Sequence, residues 1–223
     1  MPRLALMIDL ERCTGCKSCE AACKSEHALG PTERHNRVVW LGSKLEENSD
    51  NNQALDFLAL ACQHCERPAC VRACPVSPKA ISKNKETGVV TVNEDACVGC
   101  GECVTACPYG AMGFDPDGRH AVKCDLCSDR RAEGAATTAC AAVCPTKAIT
   151  FGPRDELLKT TEANNREMIK NDPFLLGPAT IYLDRIPNKQ EKFDAADRNS
   201  PKVIDSFTNI SIKDTVFPYG HNL

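Results

Sequence analysis

Cys97-Val98-Gly99-Cys100-Gly101-Glu102-Cys103-Val104-Thr105-Ala106-Cys107-Pro108 is a C-x2-C-x2-C-x3-C-P run. Three thiols at that spacing let one tight loop wrap three corners of a cubane iron–sulfur cluster. Gly99 and Gly101 ease the close backbone approach and the positive φ that such a loop demands. The fourth cysteine, Cys107, stands just before Pro108, where the chain changes direction. In two-cluster proteins this residue ligates the other cluster, so one run predicts a partner run.

Working outward, all 16 cysteines of the 223 residues fall into four groups of four. The first is Cys13, Cys16, Cys19 and Cys23, at the same spacing but with Lys24 where Pro is usual. The second, Cys62, Cys65, Cys70 and Cys74 before Pro75, gains two residues between its middle ligands. The fourth, Cys124, Cys127, Cys140 and Cys144 before Pro145, carries an insertion from Ser128 to Ala139. A disulfide scaffold would be shorter and would scatter its cysteines to staple distant loops. Thiolates this dense also overfill a single tetrahedral zinc site. His64 lies inside the second loop, and with four cysteines present it is expected on the surface or hydrogen-bonded to a cluster sulfur rather than as a ligand.

At 42% hydrophobic but only 5% aromatic, with one tryptophan, the chain has a modest organic core for its length. Bound clusters would supply the missing cohesion, so the metal-free chain is expected to fold poorly. The formal charge of −3 counts cysteines as neutral. Four oxidised cubanes on sixteen thiolates would bring the total to about −11. No basic stretch points to nucleic acid. Metal-bound thiolates imply assembly in the reducing cytoplasm.

Between the groups the chain is short and punctuated. Leu4 to Asp9 reads as a strand feeding the first cysteine loop, too short for the apolar region of a signal peptide, and no run of 18 apolar residues suggests a membrane span. Val38 to Leu41 reads as a strand, with Trp40 as a packing residue, and the polar stretch Glu46 to Asn52 as an exposed loop. Ala80 to Asn84 and Val89 to Val92 flank a turn ending at Gly88, a hairpin. Tyr109 to Phe114, the Asp115-Pro116-Asp117-Gly118 turn and His120 to Val122 repeat it after the third group. Cysteine loop followed by hairpin is the two-fold ferredoxin unit. The fourth-group insertion is expected to open with a helical turn, and Lys147 to Phe151 to form a further strand. Beyond Gly152 a helix is expected from Asp155 to about Lys170, closed by Pro173, then a strand over Ala179 to Leu183. From about Pro187 to Leu223 the chain reads as a polar arm lying on a partner.

Four complete groups predict four [4Fe-4S] clusters in an α+β fold of two ferredoxin-like units, each holding two clusters, with short hairpins and helices and a C-terminal extension. Which groups share a unit is open, because 22 residues separate groups two and three, 16 separate groups three and four, and either gap fits. The four motifs, with four residues inside the second and twelve inside the fourth, resemble the iron–sulfur electron-transfer (beta) subunits of molybdopterin oxidoreductases of the dimethyl sulfoxide reductase type. The resemblance spans about residues 4–152, and more faintly Gly177 to Tyr182. It implies nested motifs, first with fourth and second with third. The implied ligand sets are Cys13, Cys16, Cys19 with Cys144; Cys124, Cys127, Cys140 with Cys23; Cys62, Cys65, Cys70 with Cys107; and Cys97, Cys100, Cys103 with Cys74. Residues 1–24 and 123–152 would then form one unit and 62–122 the other, with 25–61 a connecting insertion and 153–223 a C-terminal helix and partner-docking arm.

With every cysteine a ligand and no dinucleotide or phosphate loop in view, a string of clusters without a substrate site is a wire, not an enzyme in its own right. The resemblance implies a molybdenum or tungsten pterin catalytic subunit at one end and a membrane quinone-linked anchor or a soluble carrier at the other. It also implies a place on the periplasmic face, reached by export of the folded protein with a partner; a cytoplasmic location is the alternative. A free-standing polyferredoxin or a ferredoxin-like hydrogenase subunit would use the same motifs, but has no evident use for residues 153–223. A zinc-bound interaction scaffold is the non-redox alternative. Lys17, Arg72, Lys123 and Lys147, close to ligands in sequence, are candidates for raising cluster potentials.

Overall fold

Leu4–Asp9 (β1) alternates little and buries Ala5, Leu6 and Ile8, as a strand with neighbours on both edges must. The computed structural model, which describes residues 2–31, 33–40, 57–115 and 117–184, places it in the middle of a three-stranded sheet. Ile149–Pro153 (β8) runs antiparallel to it, pairing Leu6 with Phe151, and Ile181–Leu183 (β9) runs parallel to it on the other edge, pairing Ile8 with Tyr182. The strand after the fourth cysteine group is thus present as expected, and its partner comes from the N-terminus.

Asn36–Trp40 (β2) pairs antiparallel with Phe57–Ala61 (β3), whose Leu58 and Leu60 enter the main core beside Leu6, Ile8 and Tyr182. The polar stretch Glu46 to Asn52 lies outside the described residues. Ile81–Lys83 (β4) with Val90–Val92 (β5), and Gly113–Asp115 (β6) with His120–Val122 (β7), are the two expected hairpins. A second, smaller core joins them through Ile81, Val90, Met112 and Ala121.

Six helices are seen among the described residues. Ser18–Glu26 (α1) follows the first cysteine loop and Ala69–Ala73 (α2) lies in the second group. Glu102–Ala106 (α3) lies in the third, and Ser128–Ala132 (α4) and Ala139–Val143 (α5) occupy the fourth. Helix α1 packs on α5, and α2 on α3. Arg154–Ala163 (α6) covers the sheet, with Leu157 buried against Ala5, Ala179 and Ile181.

Helix α6 stops seven residues short of the expected Lys170. The Asn164-Asn165 pair ends it: Asn165 is left-handed at φ 50, a conformation that asparagine tolerates at helix ends, and Asn164 Nδ2 donates to the Thr160 carbonyl at 2.8 Å. Met168 then bridges to Leu183 in extended pairing. Arg166 closes this return on Asp9 with two bonds of 2.7 and 2.9 Å and donates to the Asp184 carbonyl at 2.6 Å. Residues 154–184 are therefore woven onto β1; the arm expected from about Pro187 onward lies outside the described residues.

Candidate metal centres

The cysteine loops share one backbone device. The residue just before the second cysteine of each group has positive φ: Gly15 at 69°, His64 at 42°, Gly99 at 69° and Leu126 at 60°. This turns successive thiols toward a common centre, and glycine supplies it without strain at two of the four positions. A second left-handed residue, Lys17, Gly101 or Cys127, then starts α1, α3 or α4.

The fourth cysteine is set by the residue after it. Cys74, Cys107 and Cys144 cap α2, α3 and α5 with extended ψ of 120°, 105° and 111°. Each precedes a proline, whose ring excludes the helical conformation from the residue before it, so the helix ends on the ligand. Lys24 imposes no such stop. Helix α1 runs on to Glu26, and Cys23 is presented from within it, buried against α5.

These turns bring the thiols of different groups together, and two cavities are each lined by four of them. Cys13, Cys16, Cys19 and Cys144 line one cavity, together with Pro145 and Ile149. Cys62, Cys65, Cys70 and Cys107 line another, with Val90 and Tyr109. Cys124, Cys127, Cys140 and Cys23 are all buried, and both Cys23 and Cys124 feel the charge of Cys140. Cys74, Cys97 and Cys103 pack in the smaller core, and Cys103 feels Cys97 and Cys100. All sixteen are free thiols with no disulfide among them.

The donor set fits an electron-poor metal cluster. Burial first, and neighbouring cysteines second, push the Cys19, Cys65 and Cys70 thiols up to about 12, because a dry surrounding disfavours the thiolate and nearby thiolates repel it. Only cations at the centre make four thiolates compatible there. Backbone N–H groups are already aimed at the sulfurs: His64 at Cys62 (3.4 Å), Ala111 at Cys107, Ala121 at Cys97 and Ala139 at Cys127 (3.5 Å each). Such bonds favour the charged sulfur and set cluster potentials.

His64 is not on the surface. It is 1% exposed, its backbone rather than its ring meets the sulfur, and its Nδ1 accepts the Val90 N–H at 3.0 Å. Of the four basic residues near ligands, Lys17, Arg72 and Lys147 are exposed, while Lys123 is 4% exposed. Hydroxyls that no cysteine motif announces also meet sulfur: Ser18 at Cys16 (3.4 Å), Thr138 at Cys140 (3.2 Å) and Thr146 at Cys144 (3.7 Å). Their shared signal is a hydroxyl two residues from a cysteine. The His27 and His35 rings meet at a tilt of 54° beside Cys23, and His27 Nε2 lies 3.8 Å from Cys127 Sγ. Nothing local marks these two, because β2 brings His35 back to α1.

A family described as 4Fe-4S dicluster domain matches residues 53–154, and one described as 4Fe-4S binding domain matches residues 4–25. The chain is 42% identical over 156 residues to the B subunit of anaerobic dimethyl sulfoxide reductase of Escherichia coli, covering 68% of this chain and 74% of the relative. It is 33% identical over 187 residues to a thiosulfate reductase electron transfer subunit of Salmonella typhi, covering 84% and 95%. The B subunit of polysulfide reductase of Wolinella succinogenes is 35% identical over 150 residues, covering 67% and 76%. With cysteine-lined cavities at the matched motifs and these relatives over most of its length, the chain belongs to the family of iron–sulfur electron-transfer subunits of dimethyl sulfoxide reductase-type molybdopterin oxidoreductases.

Proposed function

We propose that the chain relays single electrons through four [4Fe-4S] clusters between a molybdopterin catalytic subunit and a membrane quinone-linked anchor or soluble carrier. The observation that supports this reading is the pair of cavities each lined by four cysteines, Cys13, Cys16, Cys19 and Cys144 in one and Cys62, Cys65, Cys70 and Cys107 in the other. A bound [4Fe-4S] cluster supplies reversible one-electron chemistry. The chain's own residues do the rest. Cys13, Cys16, Cys19 and Cys144 hold one cluster, Cys124, Cys127, Cys140 and Cys23 the next, Cys62, Cys65, Cys70 and Cys107 the third, and Cys97, Cys100, Cys103 and Cys74 the last. Apolar packing excludes water, and backbone N–H groups meet the sulfur charge.

Exposure supports a direction through the molecule. Cys16 and Cys100 are the two exposed cysteines; their two sets are called outer, the other two inner, and electrons enter and leave at the outer sets. Val98 is 65% exposed beside Cys97 and Cys100, an apolar contact suited to a docked partner. No helix among the described residues is long and apolar enough to cross a membrane. We place the complex on the periplasmic face, carried there folded with its catalytic partner; cell fractionation with and without that partner's export signal tests this.

The deciding experiment is elemental analysis of the anaerobically purified native complex. About sixteen irons per copy of this chain, with molybdenum or tungsten co-purifying, is the expected result. Iron without either metal would move the reading to a polyferredoxin or hydrogenase subunit. Zinc in place of iron would end the redox reading.

A further inference from the structure

Lys123 follows β7 and precedes Cys124, and it is 4% exposed. A lysine is almost never buried this deeply without a partner for its charge. Its Nζ donates to two backbone carbonyls, those of Val90 and of Cys124. Among the described residues no ion pair joins it to a carboxylate. Those two carbonyls belong to different neighbourhoods: Val90 lines the cavity of Cys62, Cys65, Cys70 and Cys107, whereas Cys124 belongs with Cys127, Cys140 and Cys23. The Lys123 charge is felt by both Cys70 and Cys124, where it opposes the upward push of burial.

Resting on the four-cluster reading, we propose that Lys123 is a fixed positive charge shared by the two inner ligand sets, where it raises the reduction potential of both. A [4Fe-4S] core on four thiolates carries a charge of about −2 when oxidised and about −3 when reduced. An ammonium nearby stabilises the reduced form more, and in a dry interior the difference is large. The missing partner of the buried ammonium is then the pair of clusters. Lys17 and Lys147, beside the outer set, are exposed and screened, so they tune little.

The test is EPR-monitored redox titration of the intact complex carrying Lys123→Gln, Lys123→Met or Lys123→Arg, with Lys147→Gln as a surface control. Signals are assigned to sets by Cys16→Ser, Cys127→Ser, Cys65→Ser and Cys100→Ser. In the two neutral variants the midpoints of both inner clusters should fall by at least tenfold in the reduction equilibrium, about 59 mV for one electron. The outer midpoints should hold, as should all four in the control, and Lys123→Arg should stay near the unsubstituted protein. Unchanged inner midpoints in loaded Gln and Met variants would overturn the proposal, leaving Lys123 a hydrogen-bonding strut. Loss of iron from both neutral variants would overturn it too, since such a lysine serves assembly. Failure of the four-cluster reading would show separately, as the wrong iron count in the unsubstituted complex.

Discussion

Thr138 Oγ1 stands 3.2 Å from Cys140 Sγ and at the same time accepts the Ala141 N–H at 3.4 Å. Where the Cys140 sulfur is a thiolate it has no proton to give, so the hydroxyl donates to it while accepting from the start of α5. One buried hydroxyl therefore caps a helix and hydrogen-bonds a cluster ligand. Thr138→Val should lower thermal stability by about 1 kcal/mol, the usual worth of a helix cap. It should also lower the midpoint of the cluster held by Cys140. Thr138→Ser should restore both, a pairing that loss of packing alone would not give.

The two glycines of the opening motif predict opposite tolerances. Both have positive φ, 69° at Gly99 and 74° at Gly101. A Cβ on Gly99 would run into the Arg119 backbone carbonyl, whereas one on Gly101 meets nothing within 4 Å. Gly101→Ala should cost only the left-handed penalty, about 1–2 kcal/mol. Gly99→Ala must displace backbone and should empty the set of Cys97, Cys100, Cys103 and Cys74. Iron analysis would read this as a loss of roughly four irons per chain.

The Asp9–Arg166 pair locks the C-terminal return onto the central strand. Its side chains are only 7% and 12% exposed, and the other cation at Asp9, Arg12 at 3.5 Å, is exposed, so removing one partner leaves a buried charge poorly paired. Asp9→Ala or Arg166→Ala alone should destabilise by about 3–5 kcal/mol, and the Asp9→Leu, Arg166→Met double variant by less than either. Guanidinium midpoints of the loaded protein, followed by cluster absorbance, would show the order.

Metal removal should make stability depend on alkaline pH. Buried thiols such as Cys65 and Cys70 are pushed up to about 12, above the value in an unfolded chain. Below the unfolded value both states hold the proton and nothing is gained or lost. Above it only the unfolded chain ionises, so the iron-stripped fold should weaken as pH rises from about 9 toward 12. Iron must expel the same protons to bind, so reconstitution at neutral pH should release protons and weaken on acidification. Thermal melts at pH 7 and 10, and calorimetry in two buffers of different ionisation enthalpy, measure the two effects.

Everything governed by neighbours in the chain was legible in the residues. The spacing of each cysteine group announces its loop, the prolines after Cys74, Cys107 and Cys144 announce where α2, α3 and α5 stop, and Gly88 and Gly118 mark the turns of the two hairpins. Lys24 in place of proline even carried the information that Cys23 would sit differently, because a residue without a ring leaves the helix free to continue. The early end of α6 was partly written as well, in the Asn164-Asn165 pair, although Pro173 reads as the end of the helix.

What separates the two kinds of knowledge is distance along the chain. A turn or a cap costs only local dihedrals, so its residue types report it directly. The parallel pairing of β1 with β9, the burial of His64 against β5 and the meeting of His27 with His35 depend on closing loops whose ends carry no matching mark. The same holds for charge: Lys17, Lys123 and Lys147 are alike as letters beside a cysteine. Packing alone decided that one of them would be sealed between two sets of thiolates while the others stayed in water, and a lysine's electrostatic effect is set by the dielectric around it.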